Sequence, residues 1–112
     1  MAVAATPVPG LTVETGAGYA FIDGAPFRLQ EPLESTSVTP PAGLDRIDLV
    51  AAVLDSGGVV VVQGVESASP SAPAVPAGHL ALAYLYLRPG MTSIKNLDDA
   101  TNGYIIDQRV FV

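Results

Sequence analysis

Apolar positions along this chain fall into short runs rich in β-branched and aromatic residues, separated at short intervals by glycine and proline. No window places apolar residues at the 3.6-residue spacing of a capped helix. Short strands between turn residues are typical of all-β proteins. The pattern therefore predicts an all-β fold, which we expect to be a compact antiparallel β-sandwich or β-barrel-like single domain with a proline-rich surface strap.

In the first part of the chain, the pattern predicts strands at 11–14, 19–23, 26–30 and 33–39. Asp23-Gly24 is a strong hairpin signal between the second and third of these strands. Phe27 and Leu29 alternate with polar neighbours, so one face of the third strand should be solvated. The fourth strand is mostly polar and is expected at a sheet edge.

The central strands are predicted at 46–54, 59–63 and 79–88, with a hairpin connection at 55–58. Residues 49–54, 59–62 and 80–87 are apolar at almost every position, whereas a strand with one solvated face should alternate. Both faces must then be covered, by a second sheet or by another subunit. We therefore expect a subunit interface that includes four residues of these strands, namely Val61, Tyr84, Leu85 and Tyr86.

Three further segments complete the predicted organisation. Residues 1–10 are interpreted as an N-terminal arm and residues 11–112 as one β domain. Residues 67–78 contain Pro70, Pro73 and Pro76, which favour an extended crossing over the domain surface. Residues 91–103 are expected to form a long polar loop before a last strand at 104–111.

Composition adds a tendency to associate. Apolar residues make up 49% of the chain and charged residues 14%, against about 25% charged residues in ordinary soluble domains. The net charge is −6, and the five basic residues are dispersed, which argues against nucleic-acid partners and against anionic membrane surfaces. The longest apolar runs are far shorter than a membrane span, and residues 1–10 lack the positive charge of a secretory signal.

Candidate chemistry is sparse. The chain has no cysteine and one histidine, His79, which stands at a strand start without a nucleophile motif near it. Residues 98–103 resemble a calcium loop but lack two of its ligands, so that only an irregular cation site at Asp98 or Asp99 stays open. We expect no catalytic, cofactor-binding or metal-binding residue and no cofactor.

Two pairs of opposite charges lie two residues apart on predicted strands and so share a strand face. They are Arg46 with Asp48 and Asp107 with Arg109. A polar catalytic cluster is one interpretation; we favour structural ion pairs that fix strand register.

Several segments in order resemble a small β domain of tailed-bacteriophage virion proteins, of the capsid-decoration, tail-fibre-base and baseplate-appendage type. The matching pieces are 13–24 (VETGAGYAFIDG), 46–50, 62–64, 69–76, 80–83, 89–90 and 106–109. The resemblance implies a non-enzymatic structural protein of the virion, assembled in the host bacterial cytoplasm. It also implies a homotrimer that binds other virion proteins, such as major capsid or tail proteins.

Because no shaft follows the domain in this sequence, we expect a capsid decoration (cement) protein that binds the capsid lattice as an oligomer. A tail, fibre-base or baseplate adaptor is the first alternative. A carbohydrate-binding module for host attachment is the second, although the chain has no tryptophan to serve as a sugar platform.

Overall fold

The structure, a computed structural model, describes residues 1–8 and 10–108 and contains no helix in these ranges. It contains ten strands: β1 (Val3–Ala5), β2 (Val13–Thr15), β3 (Gly18–Ile22), β4 (Ala25–Leu29), β5 (Leu33–Glu34), β6 (Arg46–Val53), β7 (Gly58–Val62), β8 (His79–Leu87), β9 (Ile94–Lys95) and β10 (Gly103–Asp107). The predicted all-β class is confirmed. Within the same ranges, no helix is long and apolar enough to cross a membrane.

The strands form three sheets. The largest has the order β7-β6-β8-β10-β9 and curls into a half-barrel, a second has the order β1-β2-β5, and β3 pairs with β4 alone. All pairs are antiparallel except the short β9–β10 pair. The β6–β8 register shifts between Val50 and Ala51, where β8 carries one extra residue in a bulge.

The β3–β4 hairpin forms as the sequence predicts. Asp23 and Gly24 have positive φ values of 51° and 78°, which are the angles that a two-residue turn of this kind requires. Phe27 and Leu29 are buried, while Arg28 between them is exposed. The alternation expected for this strand is therefore present.

The core lies on the inner face of the five-stranded sheet. Val50 and Ala52 of β6 point inward with neighbours from β8, and the two smaller sheets pack against this face. The inward side chains form two adjacent clusters, one containing Val13, Val38, Val50, Ala83, Leu85, Leu87, Met91 and Ile94, the other Ile22, Phe27, Leu29, Ala52 and Leu82. Burial of these side chains is the main stabilising contribution to the fold.

The connection 63–78 joins β7 to β8, which lie on opposite sides of β6 in the sheet. Its Gly64 N–H donates to Asp48, and its Gly78 N–H donates to Asp23 of the β3–β4 turn. Leu49 and Ala51, which point outward, are fully buried although neither belongs to a core cluster. Since they are buried within a single copy, the chain itself covers these apolar positions of β6.

Three segments differ in detail from the sequence prediction. The expected strand 33–39 is a strand only at Leu33–Glu34, because the ladder leaves its register after Ser35: the Val38 N–H donates to the Leu11 carbonyl one residue out of step. The expected loop 91–103 contains β9, and Met91 and Ile94 are buried in the core. Residues 3–5 of the expected arm form β1, which pairs with β2 at the edge of its sheet.

Candidate functional site

Arg46 and Asp48 form a buried ion pair on the inner face of β6. The Arg46 Nε–H donates to Asp48 Oδ1 at 2.8 Å, and Arg46 Nη2 lies 3.2 Å from Asp48 Oδ2. The carboxylate also accepts the Gly64 backbone N–H at 2.9 Å, and the guanidinium donates to the Thr39 carbonyl at 2.6 Å. The pair thus ties the start of β6 to two connecting segments, as structural ion pairs do.

The second expected pair is only partly described. Asp107 ends β10, opposite Ala83 of β8. Arg109 lies outside the described residues. The pairing of Asp107 with Arg109 therefore stays a prediction.

The four residues expected at a subunit interface lie on different faces. Leu85 is fully buried in the protomer's own core, so it offers no surface to a second subunit. Val61 is half-buried at the margin of the same cluster. Tyr84 and Tyr86 point to the outer face and stay half-buried. The direction of each side chain on β8 could not be read from a strand that is apolar on both faces.

A polar and aromatic cluster occupies one end of the outer face. The rings of Tyr86 and Tyr104 stack with their centroids 5.3 Å apart, and the Arg88 guanidinium lies 5.2 and 5.3 Å from the two centroids. Arg88 Nη1 also donates to Asp98 at 2.7 Å, while the Tyr86 hydroxyl donates to Asp45 at 2.6 Å. The hydrogen bond to Asp45 raises the pKa of Tyr86, and the hydrogen bond from Arg88 lowers the pKa of Asp98. The polar groups of this cluster are therefore hydrogen-bonded to one another.

The acidic loop after β9 uses its carboxylates internally. Asp99 accepts backbone N–H groups from Thr101 and Asn102 and pairs with Lys95 at 3.0 Å. These donors hold the pKa of Asp99 well below its usual range. Among residues 1–8 and 10–108, no three acidic or histidine side chains are grouped to hold a metal ion.

The His79 ring and the ion pair that lines a depression near β7 are each hydrogen-bonded to protein groups. The His79 Nδ1 lies 2.8 Å from the Ala77 carbonyl, to which it donates. A shallow depression of about 150 Å³ lies beside the ion pair and is lined by Thr36, Ser37, Val38, Thr39, Arg46, Asp48, Val61 and Gln63. Arg46 and Asp48 are already hydrogen-bonded to protein groups there.

Among the residues that the structure describes, the most exposed aromatic side chains lie on the outward face of the β3–β4 hairpin. Tyr19 and Phe21 are 75% and 74% exposed, and they stand opposite Arg28 and Pro26 on β4. The Arg28 guanidinium lies 5.1 Å from the Tyr19 ring centroid. We call these four residues the hairpin patch. The Asp23-Gly24 turn fixes this register, so the solvated face predicted for β4 already indicated that Tyr19 and Phe21 face water.

Large exposed aromatic side chains that pack on no core residue are characteristic of contact surfaces. The hairpin patch is therefore the candidate docking surface of this protein. Comparison with protein-family models, with curated proteins and with solved structures finds no match to this chain.

Proposed function

We propose that this chain is a non-enzymatic structural protein of a bacteriophage virion that docks on another virion subunit through its hairpin patch. The observation that carries the proposal is the pair of exposed aromatic rings, Tyr19 and Phe21, on a two-stranded hairpin. Aromatic residues are enriched at the energetic centre of protein interfaces. The virion setting, with capsid decoration first and a tail adaptor second, rests on the resemblance described above.

The rest of the fold supports such a role as a rigid platform. The inward face of the hairpin is anchored by Ile22, Phe27 and Leu29 in the core, which fixes the direction of the outward face. We propose a β-sandwich-like packing, in which the half-barrel sheet forms one layer and the two smaller sheets form the other. A rigid platform lowers the entropic cost of binding through its surface.

Quantitative mass spectrometry of purified virions of the phage that encodes this chain tests the setting. Hundreds of copies per particle support capsid decoration, and a few copies support a tail or baseplate position. Absence of the chain from purified virions contradicts the proposal.

Re-addition of purified protein to particles that lack it tests the surface. The double variant Y19A/F21A should bind at least about 30-fold more weakly, since loss of one interface anchor costs about 2 kcal/mol or more. L97A is the matched control, because Leu97 is also largely exposed but lies in the loop after β9. Equal occupancy of Y19A/F21A, L97A and the unsubstituted protein would contradict the role of the hairpin patch.

A further inference from the structure

Strand β7 is an edge strand of the five-stranded sheet in the part of the chain that the structure describes. There it pairs with β6 alone, and it consists of one glycine and four valines without a charge or a proline. Charges, prolines and covering segments are the usual devices that keep a strand edge from pairing with another chain. β7 has none of these devices among its own residues.

The hydrogen bonds of β6 fix which backbone groups of β7 are free. The Leu54 N–H donates to Gly78 on the β8 side, and the Val53 carbonyl accepts the Gly57 N–H on the β7 side. Backbone groups alternate in direction along a strand, so Ala51 also directs its N–H and C=O toward β7.

The register then assigns the groups on β7. Val60, opposite Ala51, uses its N–H and C=O toward β6. Val59 and Val61 therefore direct theirs away from the sheet, and in residues 1–8 and 10–108 these groups make no backbone hydrogen bond outside the β6–β7 ladder. Two donors and two acceptors stand in a row along this edge.

Two other outer strands, β9 and β4, are protected. At the opposite end of the same sheet, the Ile94 N–H of β9 donates to the Gly10 carbonyl, and the Asn96 side chain accepts the Ala5 N–H. In the hairpin, β4 carries Pro26 and Arg28. In contrast, the outward backbone groups of β7 have no such partners within the described residues.

We propose that β7 pairs antiparallel with β7 of a second copy of this chain, joining two five-stranded sheets across a two-fold axis. Val59 then lies opposite Val61 of the second copy, and the reverse pair completes four backbone hydrogen bonds. Val60 lies on the axis, opposite the same residue of the second copy. A two-fold contact uses the same surface on both subunits and ends at the dimer.

A second copy fits this edge better than a charged partner does. Valine faces valine at each position of the pairing, and β7 itself holds no charge to repel or attract. Two strands of this length bury less than the roughly 1,200 Å² of a standard stable interface, so the association depends on concentration. The contact gives a dimer, unlike the trimer that the phage resemblance implies.

Sedimentation equilibrium of the whole chain, from about 10 µM to about 1 mM, tests the pairing in the range where small interfaces associate. The average mass should rise with concentration from 11.5 kDa toward twice that value. V60K should stay at 11.5 kDa, because two ammonium groups would face each other across the axis. Val60 is 38% exposed and points outward, so V60K should keep the unsubstituted far-UV circular dichroism spectrum.

Two further samples make the test specific to the register. L97K adds the same charge near the opposite edge of the sheet and should associate like the unsubstituted chain. V60E alone should be monomeric, whereas an equimolar mixture of V60K and V60E should restore the dimer, since position 60 faces its own counterpart.

A mass of 11.5 kDa at all concentrations, a trimer, or equal association of folded V60K and L97K would overturn the proposal. Failure of the V60K and V60E mixture to associate would overturn the register. The measurement needs no virion, so this inference and the proposed function can fail independently.

Discussion

At the scale of single residues, the Arg46–Asp48 ion pair combines a high desolvation cost with a specific hydrogen-bond geometry. Its side chains are 4% and 2% exposed, so both charges have lost most of their hydration. Removing one partner leaves the other charge buried without compensation. The Gly64 N–H would lose its acceptor as well.

We therefore expect D48A to lower the free energy of unfolding by about 3–5 kcal/mol, measured by urea denaturation. The double substitution R46M/D48L should lower the free energy of unfolding less than D48A does, because apolar side chains of similar size carry no desolvation cost. D98N is the control for an exposed ion pair and should have a much smaller effect. A loss for D48A no larger than that for D98N would contradict this account.

Glu66 links stability to pH. Its carboxylate accepts the backbone N–H groups of Gly43 and Leu44, which lower its pKa below the ordinary value of 4.5. A carboxylate with a lowered pKa in the folded state stabilises that state above its unfolded pKa, and the contribution is lost as pH falls through the folded pKa. Asp98 and Asp99 have lowered pKa values too and act in the same direction.

The melting temperature should accordingly be flat from neutral pH to about pH 5 and fall below about pH 4.5. E66Q should melt at a lower temperature than the unsubstituted chain at pH 7. Its melting temperature should fall less on acidification, because an amide does not titrate. E31Q is the control, since it removes an exposed carboxylate for which no hydrogen bond is described, and it should melt like the unsubstituted chain at pH 7. Scanning calorimetry across the pH series measures both effects, and parallel profiles for all three proteins would refute the role of Glu66.

At the scale of elements, the exit from β7 depends on a close backbone approach. A Cβ atom at Gly64 would overlap the Ile47 carbonyl oxygen of β6, and both atoms belong to the backbone, which cannot move aside cheaply. G64A should therefore cost about 1–3 kcal/mol or more in denaturant unfolding. G43A is the matched control, because a Cβ there meets nothing within 4 Å and should be neutral. Equal stability of the two variants would show that this turn relaxes freely.

Turn residues and short apolar runs were enough to predict the elements that depend on neighbouring residues alone. The Asp23-Gly24 turn and the alternation at Phe27 and Leu29 determine the β3–β4 hairpin. The central strands β6, β7 and β8 also lie where the valine-rich and leucine-rich runs stand in the sequence. In each of these cases, the information lies within a few neighbouring residues.

Elements that depend on distant partners could not be predicted in this way. β9 is only Ile94–Lys95, within a polar segment, and it forms because β10 and Gly10 supply hydrogen-bond partners. The inward direction of Leu85 follows from the β6–β8 register and not from the apolar run itself. The ion pair at Arg46 and Asp48 was suggested by spacing, whereas its burial depends on the segment around Thr39.

At the scale of the whole molecule, the N-terminal residues connect the layers. β1 pairs with β2, and Val3 packs against both core clusters. The Ala5 N–H donates to the Asn96 side chain beyond β9, and the Gly16 N–H donates to the Ala2 carbonyl. These few residues contact the small sheet and the far edge of the large one.

Deletion of residues 2–5 should therefore destabilise the whole fold and not only shorten an arm. The expected loss is about 2–4 kcal/mol in urea unfolding, from one buried valine and the lost strand pairing. V8S is the control, because Val8 lies in the same segment but is almost fully exposed. Since the deletion also removes β1 from beside β9, the truncated protein should aggregate more readily on heating, in contrast to V8S. If the truncated protein unfolds with the same midpoint and slope as V8S, residues 2–5 are an appendage and the core is complete without them.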